Sequence, residues 1–354
     1  MSVAARYLNR ELIAVFLVTL AMLLLVAVGG RFLGYLQEAA MGKFTGSTVL
    51  TIMALRMPEF IQLVAPFSIY VAIVLTLGRF YADQEMVVLQ GAGTSTARLV
   101  KWLSTTLVGV TLSVGALAWV LTPIAQQQLA EFMVIQRTQT EFETVNPGTF
   151  HIYDRGKRVT YSEDMSDDQR TIFDVFMSQR LDDGRQVTLW ANEGYQQTDP
   201  ATGSHFLVLK QGRRYEGLPG DADFRIMSFA ELRQRLTVAR RPDADQEEGK
   251  PIWDLRLQGK EGAEFHWRIA LPLFCLIGGL LGVGISKVKP RQGRFARVVP
   301  GMLVMLIYYL ALLINRNAIA EDQIPTWMGM WLIHLIFALF AAKLLHNLGR
   351  PVKA

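Results

Sequence analysis

The sequence predicts an α-helical membrane protein with six transmembrane helices in a 3+3 arrangement and an all-β domain inserted between helices three and four. Three observations predict it. Six charge-poor runs are each long enough to cross a ~30 Å hydrocarbon core, which takes roughly 20 helical residues. The chain of 354 residues is 51% hydrophobic and only 19% charged, too apolar for an ordinary soluble protein. The long polar region after the third run carries short alternating segments and turn residues instead of a helical period.

The spans follow in order. The first, Leu12–Gly30, is preceded by Arg6 and Arg10 and runs on into "RFLGYLQEA", which predicts a retained signal-anchor and not a cleaved signal. The second, Phe60–Gly78, contains Pro66, a predicted kink. The third lies inside Trp102–Ala130; ending it near Pro123 leaves a helical stalk beyond the membrane. The last three are Ile269–Ser286, Val298–Asn315 and Gln323–Ala342. In "GGLLGVG", Gly278 and Gly282 are spaced for close helix packing. The expected domains are 1–123, 124–267 for the β region, and 268–354.

Lys and Arg beside the spans set orientation. One side holds Arg6, Arg10, Arg79, Arg98, Lys101, the basic "KVKPRQGRFAR" loop, Lys343, Arg350 and Lys353. Both termini are therefore expected in the cytoplasm and the β region on the far side. That region carries 24 Asp+Glu against 18 Lys+Arg, so the overall charge of +5 describes membrane topology and points to no nucleic acid.

Within the β region, "GTFHIYDRGKRVTYSED" alternates, Asp183-Gly184 is a turn between two strand-like runs, and "DPATG" is another. Such spacing suggests a sandwich or jelly roll. The stretch "AELRQRLTVARRPDADQEEGKP" reads as a helical or loose return to the membrane. The single cysteine, Cys275, sits in span four and offers no disulfide.

No phosphate loop, HExxH, GxSxG or paired CxxC occurs, and the five His are scattered. His334, inside span six, reads as a neutral ring hydrogen-bonded between helices. A polytopic chain with a large external domain and no energy-converting motif reads as a transport subunit driven by a partner, or as a membrane scaffold.

The segment "GRFYADQEMVVLQGAGTS" lies between spans two and three. Asp83 is an expected N-cap, Glu85 falls where the helix dipole favours an anion, Gly91 and Gly93 can end the helix, and Met86, Val87, Val88 and Leu89 supply an apolar surface. So short a helix is unstable alone and must be covered. A lipid-lying helix and a coupling helix docked on a cytoplasmic ATPase both fit.

Six motifs in order, "RYLNRE", "MPEFIQLVAPFSIYVAIVLTLGRFY", "EMVVLQGAGTS", "YEGLPGDADFRIMSF", "WRIALPL" and "KPRQGR", make the chain resemble the lipopolysaccharide export permeases, specifically the LptF branch, over nearly its full length. The resemblance implies a half-permease of an ABC exporter in the bacterial inner membrane. It would pair with an LptG-like permease and an LptB-like ATPase dimer that uses the ATP, with no cofactor bound by this chain. Lipopolysaccharide would pass through a periplasmic jelly roll to LptC- and LptA-like proteins. The segment 83–91 becomes the coupling helix, with Asp83, Glu85, Met86, Val87, Leu89 and Gly91 as coupling residues.

Lipopolysaccharide carries acyl chains and phosphates, so an apolar cavity with cations at its outer rim is expected. Arg31 matches a basic family residue at the outer end of span one; a further basic family position is Gly34 here, leaving Lys43, Arg316 or the partner to supply charge. Spans one and five form lateral gates in the family, which implies cavity roles for Leu24, Val28, Phe32, Leu306, Tyr309 and Leu313. The rival readings are an LptG-type or other lipid or lipoprotein ABC permease, and a non-transporting scaffold with a periplasmic binding domain.

Overall fold

A computed structural model describes residues 3–40, 46–143, 147–153, 157–166, 171–181, 184–198, 205–218, 225–235, 247–287 and 297–348. Six of its helices are long and apolar enough to cross a membrane. The chain divides into a helical unit (Met1–Gln37, Ser47–Leu129 and Ala244–Ala354) and a β unit (Glu38–Gly46 and Ala130–Asp243).

The helices outrun the apolar windows that predict them, because nothing stops a helix at a headgroup. Helix α1 spans Val3–Ala40 and α2 spans Gly46–Ala82, with a short α3 at Glu85–Gly91. Span three is α4, Thr96–Ala116, continued by α5, Thr122–Glu143, through a π-helical turn at Leu117–Leu121. There the Thr122 N–H reaches back five residues to the Leu117 carbonyl. Pro123, which would clash with the carbonyl four residues before it, accounts for the wider turn.

Helix α6, Gly259–Ile285, is the hub of the helical unit. Its glycines admit neighbours too close for a Cβ. One on Gly278 would lie 2.6 Å from Met305 of α7 (Val298–Ala320), and one on Gly284 would lie 2.6 Å from Leu344 of α8 (Trp331–Leu348). Gly279 faces Leu107 of α4, and Gly282 faces Tyr70 of α2. Pro272 inside α6 frees the Arg268 carbonyl, which the Trp119 indole N–H takes at 3.1 Å.

Span six begins later than Gln323, because Pro325 caps a 3₁₀ turn at Thr326–Met328 and Gly329 turns left-handed (φ 49°) before α8. His334 is buried and shares a hydrogen bond with the Tyr308 hydroxyl, with Phe337 stacked on the Tyr308 ring. This is the interhelical role expected of it.

The β unit is one antiparallel sheet of six strands in chain order: β1 Phe150–Tyr153, β2 Arg158–Met165, β3 Thr171–Arg180, β4 Gln186–Thr198, β5 His205–Gly217 and β6 Arg225–Arg235. The expected β domain is present. Its connectivity among the described residues is a meander, without the Greek-key crossovers that define a jelly roll. Ile172, Val175, Leu189, Ala191, Leu207 and Leu209 form its core.

Two local expectations resolve here. Gly184 takes the left-handed turn conformation (φ 86°), while Asp183 and the "DPATG" turn lie outside the described residues. The expected helical or loose return is corrected over its first residues. Ala230–Arg235 completes strand β6, because Phe229 and Leu232 land on the core face, and burial there overrides the helix propensity of Ala, Glu, Leu and Arg.

Candidate functional site

Helix α3 has two faces with different owners. Met86 is buried in the core of the helical unit and Leu89 packs against that core, whereas Val87 (63% exposed) and Val88 (72%) face away from it. Glu85 is half-buried within electrostatic reach of Arg79. One capping expectation is corrected. Gln84, not Asp83, holds the N-cap position, with a left-handed backbone (φ 61°) and no side-chain cap. Burying Met86 fixes where the helix starts, and its first turn leans on the Gln84 carbonyl, which accepts from Val87 N–H at 3.1 Å. Gly91 is the last helical residue, and Gly93 (φ 83°) makes the left-handed stop. Met86, expected among the coupling residues, is buried against its own chain.

The region above α3 ties three helices together. Arg79 bonds Glu11 at 3.1 Å and the Tyr7 hydroxyl at 2.9 Å, joining α2 to α1. Buried Asn9 donates to the Trp102 carbonyl at 2.7 Å and accepts from the Thr106 hydroxyl, joining α1 to α4. Ser95 caps α4 by accepting from Arg98 N–H at 3.2 Å. None of these links was foreseen, although Asn9 inside an apolar periodicity is a signal that could have found one.

At the far end of the same unit the expected substrate residues separate into two groups. Tyr309, Leu313 and Arg316 come together on α7 beside α6. The Tyr309 ring lies 6.0 Å from Trp267 and 5.8 Å from Phe67, Leu313 packs on the core, and the Arg316 guanidinium lies 5.1 Å over Trp267. Leu306, one turn earlier, is exposed. Leu24, Val28 and Phe32 are half-buried and Arg31 is exposed; no residue of α1 beyond Phe16 is buried. Lys43 lies outside the described residues.

Arg316, expected as one possible source of rim charge, is ion-paired within the chain. It bonds Glu264 at 2.8 Å, and Glu264 in turn accepts from Arg268 at 2.8 Å. The buried Arg268 also donates to the carbonyls of Lys250 (2.6 Å), Glu247 (2.9 Å) and Glu248 (3.0 Å), fastening the 3₁₀ turn Glu247–Gly249 to the end of α6. Gln127 of α5 holds the same turn through the Gly249 carbonyl at 2.7 Å. Counting charges for orientation missed this cluster, yet the signal was there: Glu264 and Arg268 stand at i, i+4 where a span begins.

A family model described as "Lipopolysaccharide export system permease LptF/LptG" matches residues 6–347. This chain belongs to the LptF/LptG family. The lipopolysaccharide export system permease protein LptF of Escherichia coli strain K12 is 28% identical over 345 residues, covering 96% of this chain and 93% of that protein. The LptF proteins of Escherichia coli O157:H7 and Shigella flexneri match at the same 28% identity and the same coverage. As an LptF/LptG permease with six spanning-length helices, the chain is a multi-pass membrane protein.

Proposed function

We propose that this chain is an LptF-type half of a lipopolysaccharide exporter in the bacterial inner membrane, with both termini cytoplasmic and the β unit periplasmic. Its partners would be an LptG-like permease and an LptB-like ATPase dimer that hydrolyses ATP. LptC- and LptA-like proteins would receive the lipid, and this chain itself would bind no cofactor and catalyse no reaction. The observation that carries the reading is α3. A permease without a nucleotide motif must receive work from outside, and α3 offers Val87 and Val88 outward, with half-buried Glu85 beside them, while Met86 roots it in the spans.

The mechanism follows the links. ATPase closure pushes α3; Met86 and Leu89 carry the push to the helical core, and the Arg79–Glu11 and Asn9–Thr106 ties carry it to α1. Rotation of the spans collapses an apolar cavity lined by Leu24, Val28, Phe32, Leu306, Tyr309 and Leu313. Lipid then leaves toward the β unit, its phosphates guided by Arg31, while Arg316 stays bridged to Glu264.

Native mass spectrometry of the complex expressed from its own operon tests this. A second related permease, two copies of a small ATPase and bound lipopolysaccharide are expected. A chain that purifies without an ATPase, under conditions that preserve a known ABC exporter, would overturn the reading in favour of a scaffold.

A further inference from the structure

The sequence contains the same three-residue pattern twice on one side of the helical unit. "PIW", Pro251-Ile252-Trp253, precedes α6, and "PTW", Pro325-Thr326-Trp327, joins α7 to α8. Both fold alike. In each the proline holds the N-cap position of a 3₁₀ turn with an extended backbone (φ −56°, ψ 149° and φ −59°, ψ 133°), and the tryptophan falls inside that turn.

Both indoles point away from the protein. Trp253 is 76% exposed and Trp327 is 77% exposed, in a unit that fully buries Tyr70, Phe274 and Tyr308. Leu257, Met328 and Trp331 add exposed apolar surface beside them. The second turn is fastened to the segment that follows the first, since the Thr326 hydroxyl donates to the Leu257 carbonyl at 2.9 Å and Gly262 of α6 leaves no room for a Cβ between them. Two prolines, a shared hydrogen bond and a glycine contact hold rigid a surface that water should disfavour.

The surface continues the membrane spans. One turn ends five residues before α6 begins and the other joins α7 to α8, so both lie at the ends of spanning-length helices. Tryptophan prefers that depth, with its ring among upper acyl carbons and its N–H among headgroups. Exposed Arg256 and Lys260 can reach phosphates nearby. Asp254, Glu321 and Asp322 more than offset them, so the aromatic rings and not net charge select the partner.

We propose that the paired Pro-x-Trp turns are an interfacial anchor whose partner is the lipid headgroup layer at the β-unit side of the membrane. The anchor sets the depth of the segment from Glu247 to Leu257, which Arg268 and Gln127 clamp onto α6 and α5. The lipid surface thereby fixes the height at which the chain returning from the β unit enters span four. This rests on the multi-pass placement and not on the identity of the transported lipid.

Fluorescence quenching tests it in the intact complex, reconstituted in nanodiscs of phosphatidylethanolamine and phosphatidylglycerol brominated near the start or near the end of the acyl chain. Subtracting the spectra of Trp253→Phe and of Trp327→Phe from wild type isolates each indole; Trp190→Phe, a half-exposed strand residue of the β unit, is the control. For both anchor indoles we expect blue-shifted emission, strong quenching by the shallow bromines, weaker quenching by the deep ones and little by aqueous iodide. Iodide quenching without lipid quenching would overturn the proposal by placing the turns in water. Absence of both would overturn it equally, by placing them under a partner protein.

Discussion

Helices α2 and α6 are finished within this chain, and α1, α7 and α8 are not. In the most apolar window of α2, 78% of residues are buried, and in α6 61% are; in α1 only 11% are, and in α7 and α8 22%. The difference follows from composition. Four of the six glycines of α6, at 278, 279, 282 and 284, admit four different neighbours, and Tyr70 and Ile73 of α2 fill the space one of them leaves. The middle of α1 carries bulky Leu17, Val18, Met22, Leu25 and Val26, all exposed among the described residues. Membrane helices associate through close packing and not through a hydrophobic force. The well-packed pair is therefore a scaffold, and the bare helices are surface awaiting lipid or a second permease, as the proposed half-permease requires.

The largest effect expected from breaking the finished region comes from its buried ion cluster. Arg268→Met leaves Glu264 buried beside a single remaining cation and frees three carbonyls, which should cost about 3–5 kcal/mol. Reversible unfolding in mixed micelles measures it. Adding Glu264→Leu should recover much of the loss, since no buried charge is then stranded and Arg316, whose side chain is 27% exposed, can turn to water. A double variant no better than the single would mean that the carbonyl clamp, and not the charge pair, carries the stability.

Next comes a matched pair of glycines. Gly284→Ala places a methyl 2.6 Å from Leu344 Cβ, an atom bonded directly to the backbone that yields only if α6 and α8 part, at about 1–3 kcal/mol. Gly29→Ala in α1 meets nothing within 4 Å and should gain up to about 1 kcal/mol of helix propensity. Equal melting shifts for the two would erase the distinction between finished and unfinished helices.

The same contrast explains what could be read from the sequence. Spans, their order and the β region were legible because hydropathy runs and alternation are local signals. Helix ends were less so: Pro325 and Gly329 delay the start of α8, and the burial of Met86 that sets the start of α3 is a tertiary fact. Strand β6 hid because Ala230, Glu231 and Arg233 favour a helix until Leu232 has a core to face. At α3 the segment was legible but its docking face was not, because four adjacent apolar residues cannot say which will be claimed by their own chain.

That ambiguity can be tested on two neighbours. Met86→Ala should destabilise the permease itself, by about 2–5 kcal/mol, because it empties a filled core site. Val88→Asp should leave permease melting unchanged and weaken ATPase association about tenfold or more, as loss of an interface anchor does. Copurification after salt washes reads the second effect. Val88→Asp with full ATPase retention would remove α3 from the interface.

The smallest effect belongs to the link between α3 and α1. Arg79 and Glu11 are each more than a quarter exposed, so Glu11→Gln should cost only about 0.2–1 kcal/mol of stability, less at high salt. Its consequence for coupling need not be small. A push on α3 reaches α1 by this tie and by the buried Asn9 bonds, and among the described residues of α1 beyond Phe16 only Leu20 packs against the core of the helical unit. If α1 is a moving helix steered from its cytoplasmic end, Glu11→Gln combined with Asn9→Leu should lower lipid release per ATP hydrolysed far more than it lowers the melting temperature. A loss of release only in proportion to lost folded protein would make the tie a structural contact, and α1 a passive wall.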